Sequence, residues 1–243
     1  MTQSVLGVML YSLIPVFAAL AGASIAALRA PEARVRSGIQ HFAAGVVFSV
    51  VSVELLPDVV RRHRPLWVVV GFGLGIASML ALRWFIEAKI ESRNRDGSKA
   101  FPIALVTATG IDILLDGFLV GIGFVAGAKE LMLLVFALGL ELFSLGVATG
   151  VTLMNSGVAG GKSISTTVLL ALAIPVGALA GTTILRNAPD QAVEMLLSFG
   201  LAALLFLVTE ELLVEAHEVQ ETPLITTSFF AGFSVFLVLG MVT

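Results

Sequence analysis

The chain has 243 residues, of which 58% are hydrophobic and only 13% charged, with a formal net charge of −3 and no cysteine. A soluble domain carries about 25% charged residues and roughly 45–50% apolar ones, so this chain cannot clothe a water-facing surface, and soluble, disordered and nucleic-acid-binding classes are excluded. Disulfides, thiolate metal sites and cysteine nucleophiles are excluded as well, which leaves an all-α, polytopic membrane helix bundle.

A bilayer core takes about 20 apolar residues per helix. Eight spans are predicted in a single domain covering 1–243, at about 4–28, 39–60, 65–88, 101–127, 130–155, 164–186, 192–217 and 223–242. The first has no Lys or Arg ahead of its apolar run, and that run is longer than the h-region of a secretory signal, so it is read as a true span. Arg29-Ala30-Pro31-Glu32 ends it. Arg61-Arg62-His63-Arg64-Pro65 separates the second span from the third, and the polar run Glu91–Lys99 separates the third from the fourth. Asn155-Ser156-Gly157, Arg186-Asn187-Ala188-Pro189-Asp190 and Glu218–Pro223 mark later turns. Pro15 and Pro175 fall inside spans, where bundle contacts tolerate them.

Loop charge predicts orientation. With the N-terminus outside, the inner side carries Arg29, Arg34, Arg36, Lys89, Arg93, Arg95, Lys99 and Lys162, and the outer side Arg61, Arg62, Arg64, Lys129 and Arg186. This positive-inside bias places both termini on the outer side, in a plasma (inner) membrane, with Arg83 snorkelling near the inner end of the third span. The lipid bilayer is thus the first expected partner, and nucleic acid is not one.

Six carboxylates fall in or near the spans: Glu54, Asp112, Asp116, Glu141, Glu210 and Glu211. A charge at the bilayer centre costs about 2.5–3.5 kcal/mol even on the lenient insertion scale, so such groups mark a pathway or a site by default. Asp112 and Asp116 are four residues apart, on one face of the fourth span. Thr109 lies one turn before Asp112, and Gly117 and Gly121 form a small-xxx-small pair that admits a neighbouring helix closely. Glu141 and Ser144 share a face of the fifth span, which the short connection forces antiparallel to the fourth. Asp112 and Glu141 should therefore meet near the midplane. Carboxylates so placed cannot all remain ionised without a counter-charge, so the pocket holds a metal ion or protons.

The other acids extend this into a ladder along the membrane normal. Glu54 stands at the outer end, and Glu210, Glu211, Glu215 and Glu218 at the inner end. Oxygen ligands that bind weakly enough to release an ion suit conduction. Of the three histidines, His63 is read as exposed, His41 as interfacial and His217 as the best candidate ligand, near the inner exit.

Three stretches together resemble the ZIP (Zrt-/Irt-like) family of metal transporters. Glu54-Leu55-Leu56-Pro57-Asp58 is similar to the end of that family's second helix. Asp112-Ile113-Leu114-Leu115-Asp116-Gly117, continuing to Gly121, is similar to its fourth-helix signature. Glu210-Glu211-Leu212-Leu213-Val214-Glu215-Ala216-His217 is similar to the end of its seventh helix. The resemblance implies eight pseudo-symmetrically arranged helices, a metal site between the fourth and fifth, an elevator-like movement of one helix group against another, and a homodimer. It implies import of a divalent cation to the cytoplasm, zinc first, with Mn²⁺, Fe²⁺, Cd²⁺ and Mg²⁺ as the other candidates.

The departures from the family pattern bear on the ligands. Asp112 stands where the signature has His, Ile113 where it has Asn and Leu115 where it has Pro; in the fifth helix Glu141 is the strong ligand that remains. One site built from Asp112, Asp116, Glu141 and Ser144 is therefore expected rather than a two-metal centre. All-oxygen ligation suits harder ions such as Mn²⁺ and Mg²⁺, while the family resemblance favours zinc. The competing readings are a proton-linked transporter of another small solute and a degenerate, non-transporting relative. An intramembrane aspartic protease is disfavoured, because Asp112 and Asp116 share one helix.

Overall fold

The computed structural model describes residues 5–94, 103–186, 188–217, 219–220 and 222–242. Residues 95–99 of the predicted polar connection, with Arg95 and Lys99, lie outside the described residues, as do Asn187 and Glu218. In chain order the helices are α1 (Val5–Leu28), α2 (Ala33–Val50), α3 (Leu56–Arg61), α4 (Pro65–Asn94), α5 (Ile103–Ala126), α6 (Ala128–Asn155), α7 (Gly160–Ala171), α8 (Ala173–Leu185), α9 (Asp190–Phe206), α10 (Leu213–Ala216) and α11 (Pro223–Val242). Two π-helical segments continue these runs: Val51–Leu55 joins α2 to α3, and Leu207–Leu212 joins α9 to α10.

Among the described residues, seven helices or joined helix runs are long and apolar enough to cross a membrane: Leu6–Leu28, Ala33–Arg61, Pro65–Phe85, Ala128–Asn155, Gly160–Leu185, Asp190–Ala216 and Pro223–Val242. The chain is an integral membrane protein with a helix-bundle fold. α5, which is not among these seven, is a further helix of 24 residues that forms a hairpin with α6 through Gly127. The outward faces are apolar, with Leu66, Trp84, Leu169 and Leu224 all strongly exposed, as expected where lipid replaces water.

Helix ends follow local chemistry. Pro65 and Pro223 open α4 and α11, where the missing N–H costs nothing. α6 closes in a Schellman turn: Val158 N donates to Leu153 O (3.0 Å), Gly157 N donates to Met154 O (2.9 Å), and Gly157 adopts φ 84°, which a side chain would strain. The span predicted at 164–186 is two helices broken at Leu172, three residues before Pro175. Pro175 cannot donate to the carbonyl of Ala171, so the hydrogen-bond ladder is interrupted there.

The runs alternate in direction. One end of the bundle gathers Glu54, Gly127, Pro189 and Gly240, and is called here the Glu54 end. The other gathers Ala33, Gln40, Asn155 and Glu215, and is called the Gln40 end.

Packing is led by four helix pairs, α1 with α6, α5 with α8, α2 with α11 and α4 with α9. The first two pairs, with α7, make one group, or body, and the last two, with α3 and α10, make the other; α2 also packs along α6 between them. Backbone-to-backbone approach lies inside these groups. Gly22 lies against the Phe143 carbonyl (α1 on α6), Gly117 against that of Ile174 (α5 on α8), Gly45 against that of Phe229 (α2 on α11) and Gly71 against that of Met195 (α4 on α9). At each, a Cβ would strike the neighbouring backbone, so small residues set the helix separation. Gly117 and Gly121 thus do what their spacing suggests, and α8 is the helix they admit. Between the groups α2 packs along α6, and Gly200 of α9 meets the side chains of Leu119 (Cδ2) and Ile122 (Cδ1) of α5.

Gly45→Leu should therefore lower the unfolding midpoint and the folded yield in detergent, since overpacking costs about 1–3 kcal/mol. Gly73→Leu should leave both unchanged, because nothing lies within 4 Å of a Cβ at that position. Thermal unfolding followed by size-exclusion chromatography checks the pair.

Candidate metal centre

α5 and α6 bring three carboxylates together midway along the bundle. Asp112 and Asp116 stand one turn apart on α5, Glu141 projects from α6, and one ligand oxygen from each lies within 4.8 Å of the others. Asp116 and Glu141 are buried, at 3% and 2% exposure, and Asp112 is half-buried. Asp116 Oδ2 and Glu141 Oε2 are buried without a hydrogen-bond partner. A buried acceptor left unsatisfied costs about 1–3 kcal/mol, and more when charged, so these atoms are poised for a ligand. Divalent cations hold oxygens at about 2.0–2.6 Å. Oxygens on opposite sides of one ion are then roughly 4–5 Å apart, which is the spread found here. Buried Ser144, one turn after Glu141, adds a hydroxyl.

Asp112 and Glu141 face a cavity of about 30 Å³ between the two groups, lined from one by Asp112, Glu141, Ser144 and Leu145 and from the other by Gln40, Leu207, Glu211, Leu212 and Glu215. That volume accommodates about one water or one ion. Toward the Gln40 end lies a larger vestibule of about 300 Å³, bounded by Ala33, Arg36, Gln40, Ala148, Thr152, Asn155, Glu215 and Val219. Gln40 and Glu215 line both spaces, and Gln40 Nε2 donates a 2.6 Å hydrogen bond to Glu215 Oε2. This amide–carboxylate pair forms the wall between the vestibule and the central cavity.

The π segments aim the remaining acids. A π turn holds one residue more than an α turn, and such bulges recur at functional sites. In Leu207–Leu212 two adjacent glutamates diverge. Glu211 lines the central cavity, while half-exposed Glu210 accepts a 2.8 Å bond from Arg83 Nη1 on the bundle's outer surface. Arg83, expected to snorkel, therefore has a carboxylate partner. In Val51–Leu55, Glu54 does not join the central site; Lys129 Nζ lies 3.3 Å from its Oε1.

His217 and His41 meet edge-on, with ring centroids 5.1 Å apart. The Nδ1 of His217 turns back to the Leu213 carbonyl. His41, expected at the interface, is buried at 3% exposure, and its Nδ1 lies 2.9 Å from the Ser37 carbonyl. Since a carbonyl only accepts, that nitrogen carries the proton.

Of the expected site residues, Asp112, Asp116, Glu141, Ser144 and Glu211 are thus brought together, while Glu54, Glu210 and His217 stand apart from them. Two residues escape the sequence reading. Gln40 is a lone amide in an apolar run, a signal that polarity alone does not separate from a surface residue. Glu194 of α9 is 1% exposed with neither oxygen hydrogen-bonded, and Arg62 Nε lies 3.7 Å from its Oε2. Its place in the second turn of an apolar helix was the available clue. Neither models of known protein families nor curated proteins give a match to the chain.

Adding Mn²⁺ or Zn²⁺ at about 100 times Kd should raise stability by about 2.7 kcal/mol. Glu141→Gln should abolish that increment while leaving the metal-free protein at least as stable, because an amide replaces a buried carboxylate with an unpaired oxygen. Thermal unfolding with and without metal measures both effects.

Proposed function

We propose that the chain is a divalent-cation transporter of the ZIP type, with eight transmembrane helices, that moves zinc into the cytoplasm through the carboxylate site between α5 and α6. The observation that carries this reading is the cluster of Asp112, Asp116 and Glu141, with two orphaned buried oxygens, at an ion-sized cavity that Asp112 and Glu141 line beside a polar vestibule. The motif resemblance, the loop-charge bias and the placement of the cavity between the two groups support it. In this reading both termini and the Glu54 end face outward, and the Gln40 end faces the cytoplasm.

The chemistry follows from the ligand set. A cation entering the central site relieves the repulsion among the three carboxylates. Glu211 and Glu215, which belong to the opposite body, offer the next oxygens toward the vestibule. Passing the ion from carboxylates on one body to carboxylates on the other keeps each binding step shallow enough for release. Movement of one group against the other exposes the site to one side of the membrane and then the other. Oxygen ligation also gives Mn²⁺ a competitive place beside zinc.

Uptake into proteoliposomes, compared for Zn²⁺, Mn²⁺, Fe²⁺, Cd²⁺ and Mg²⁺, tests the proposal. Asp112→Ala and Asp116→Ala should each abolish uptake while the protein remains monodisperse. Acidifying the external solution from about pH 7.5 to about pH 5.5 should weaken metal binding and slow uptake, because the ligands must be deprotonated to hold metal. Normal uptake by either variant sinks the proposal. Absence of uptake of every ion by folded wild type points instead to a proton-linked transporter of another solute or a non-transporting relative.

A further inference from the structure

The basic turn between α3 and α4 stands over an apolar groove. α3 and α4 are neighbours in sequence, yet each packs on α9 and scarcely on the other. The space left between them is a groove of about 530 Å³. Leu56 and Val60 of α3 form one wall, Val69 and Phe72 of α4 the other, and buried Leu201 of α9 lies in the floor. Val60 and Val69 are 60% and 70% exposed, so the groove opens onto the outer face of the bundle, where lipid is the solvent. From Arg64 to Phe72 the groove follows α4 for about 12 Å at the helical rise. The hydrocarbon of one leaflet is about 15 Å deep, so the groove runs through most of it.

Cations gather at its mouth. The turn reads Arg61-Arg62-His63-Arg64, and His63 and Arg64 line the groove itself. His63 takes φ 53°, the left-handed conformation that turns the chain from α3 into α4. Arg61 Nη1 lies 3.9 Å from Asp58 Oδ1, and Arg62 Nε lies 3.7 Å from Glu194 Oε2. Glu194 also attracts Arg64, from beyond ion-pair distance. One carboxylate is thus shared by two guanidiniums, and half-buried Arg64 has no carboxylate within 4 Å among the described residues. α4 begins at Pro65, so its N-terminus adds partial positive charge at the same place. Trp67, in the first turn of α4 and 37% exposed, marks the headgroup level.

We propose that this groove binds a phospholipid with a net-negative headgroup: one acyl chain lies between α3 and α4, and Arg64 holds the phosphate at the start of α4. Each part of the groove selects part of that ligand. The walls are aliphatic and aromatic carbon, which suits a hydrocarbon chain. The guanidinium presents paired N–H donors that match two phosphate oxygens. A zwitterionic headgroup would bring an ammonium among Arg61, Arg62 and Arg64, where like charges repel it. A bound lipid also ties α3 to α4, which protein contacts leave apart. The inference concerns the bundle's contact with its bilayer and does not rest on the transport reading.

Native mass spectrometry tests this on the full-length protein, delipidated in detergent and titrated with phosphatidylglycerol or phosphatidylcholine of matched chains. Phosphatidylglycerol should bind about fivefold more tightly or better. Arg64→Gln should lower its affinity about fivefold, the share expected of one cation at an anionic lipid surface. Arg186→Gln removes the same charge from the same end of the bundle but outside the groove, and should leave the preference unchanged. Val60→Phe combined with Val69→Phe fills the groove from two lipid-exposed positions. That variant should weaken both lipids about tenfold, roughly the loss of two buried methylenes, and it carries the test should Arg64→Gln not fold. Equal binding of the two lipids, or an equal loss in Arg64→Gln and Arg186→Gln, overturns the anionic site. Affinity indifferent to the filled groove overturns the acyl-chain slot.

Discussion

Three carboxylates held within 4.8 Å of one another inside an apolar bundle cannot be left to themselves. Their mutual repulsion and their separation from water both demand a partner. Much of the architecture answers that demand. The site lies between the two groups rather than inside one, so a small polar cavity can reach it. Leu145, Leu207 and Leu212 narrow that cavity until about one ion fits. Gln40 and Glu215 close it with a hydrogen bond, which satisfies two polar groups that would otherwise line an empty wall.

The same demand explains the division of labour among contacts. Lipid offers no hydrophobic drive for helices to associate, so close backbone packing supplies the cohesion. Gly22, Gly117, Gly45 and Gly71 provide it within each body. Where α9 meets α5, between the groups, Gly200 lies against the branched side chains of Leu119 and Ile122 instead of a backbone. Hydroxyls elsewhere cause little disturbance: those of Thr152, Thr182 and Thr183 bond the carbonyl four residues back in their own helix.

Local signals revealed the helices and the heart of the site. The length of the apolar runs located the seven membrane-length helices found among the described residues, and the four-residue spacing of Asp112 and Asp116, with Glu141 on the adjoining helix, located the carboxylate cluster. Features that depend on distant partners did not show. Nothing local in Glu210-Glu211 says that one faces the cavity and the other Arg83, because the π segment that separates them arises from packing. Lys129 reads as an ordinary loop charge until Gly240 and Glu54 are folded beside it. The break at Leu172 was foreshadowed by Pro175, yet the uninterrupted apolar run concealed it. His41 reads as interfacial because its partners are distant in sequence, among them the ring of His217, 176 positions later.

The glycine contacts have a consequence for how such a protein can drift. Where a Cα–H rests on a neighbouring carbonyl, as at Gly45 against Phe229, no other residue type fits, and compensation would require a whole helix to move. Between the groups, Leu, Ile, Val and Met can replace one another one position at a time. Substitution over many generations would therefore accumulate between the two groups, while the glycine-packed pairs stay nearly fixed. The angle and spacing between the groups could change by that route, with the shape of each glycine-packed pair preserved.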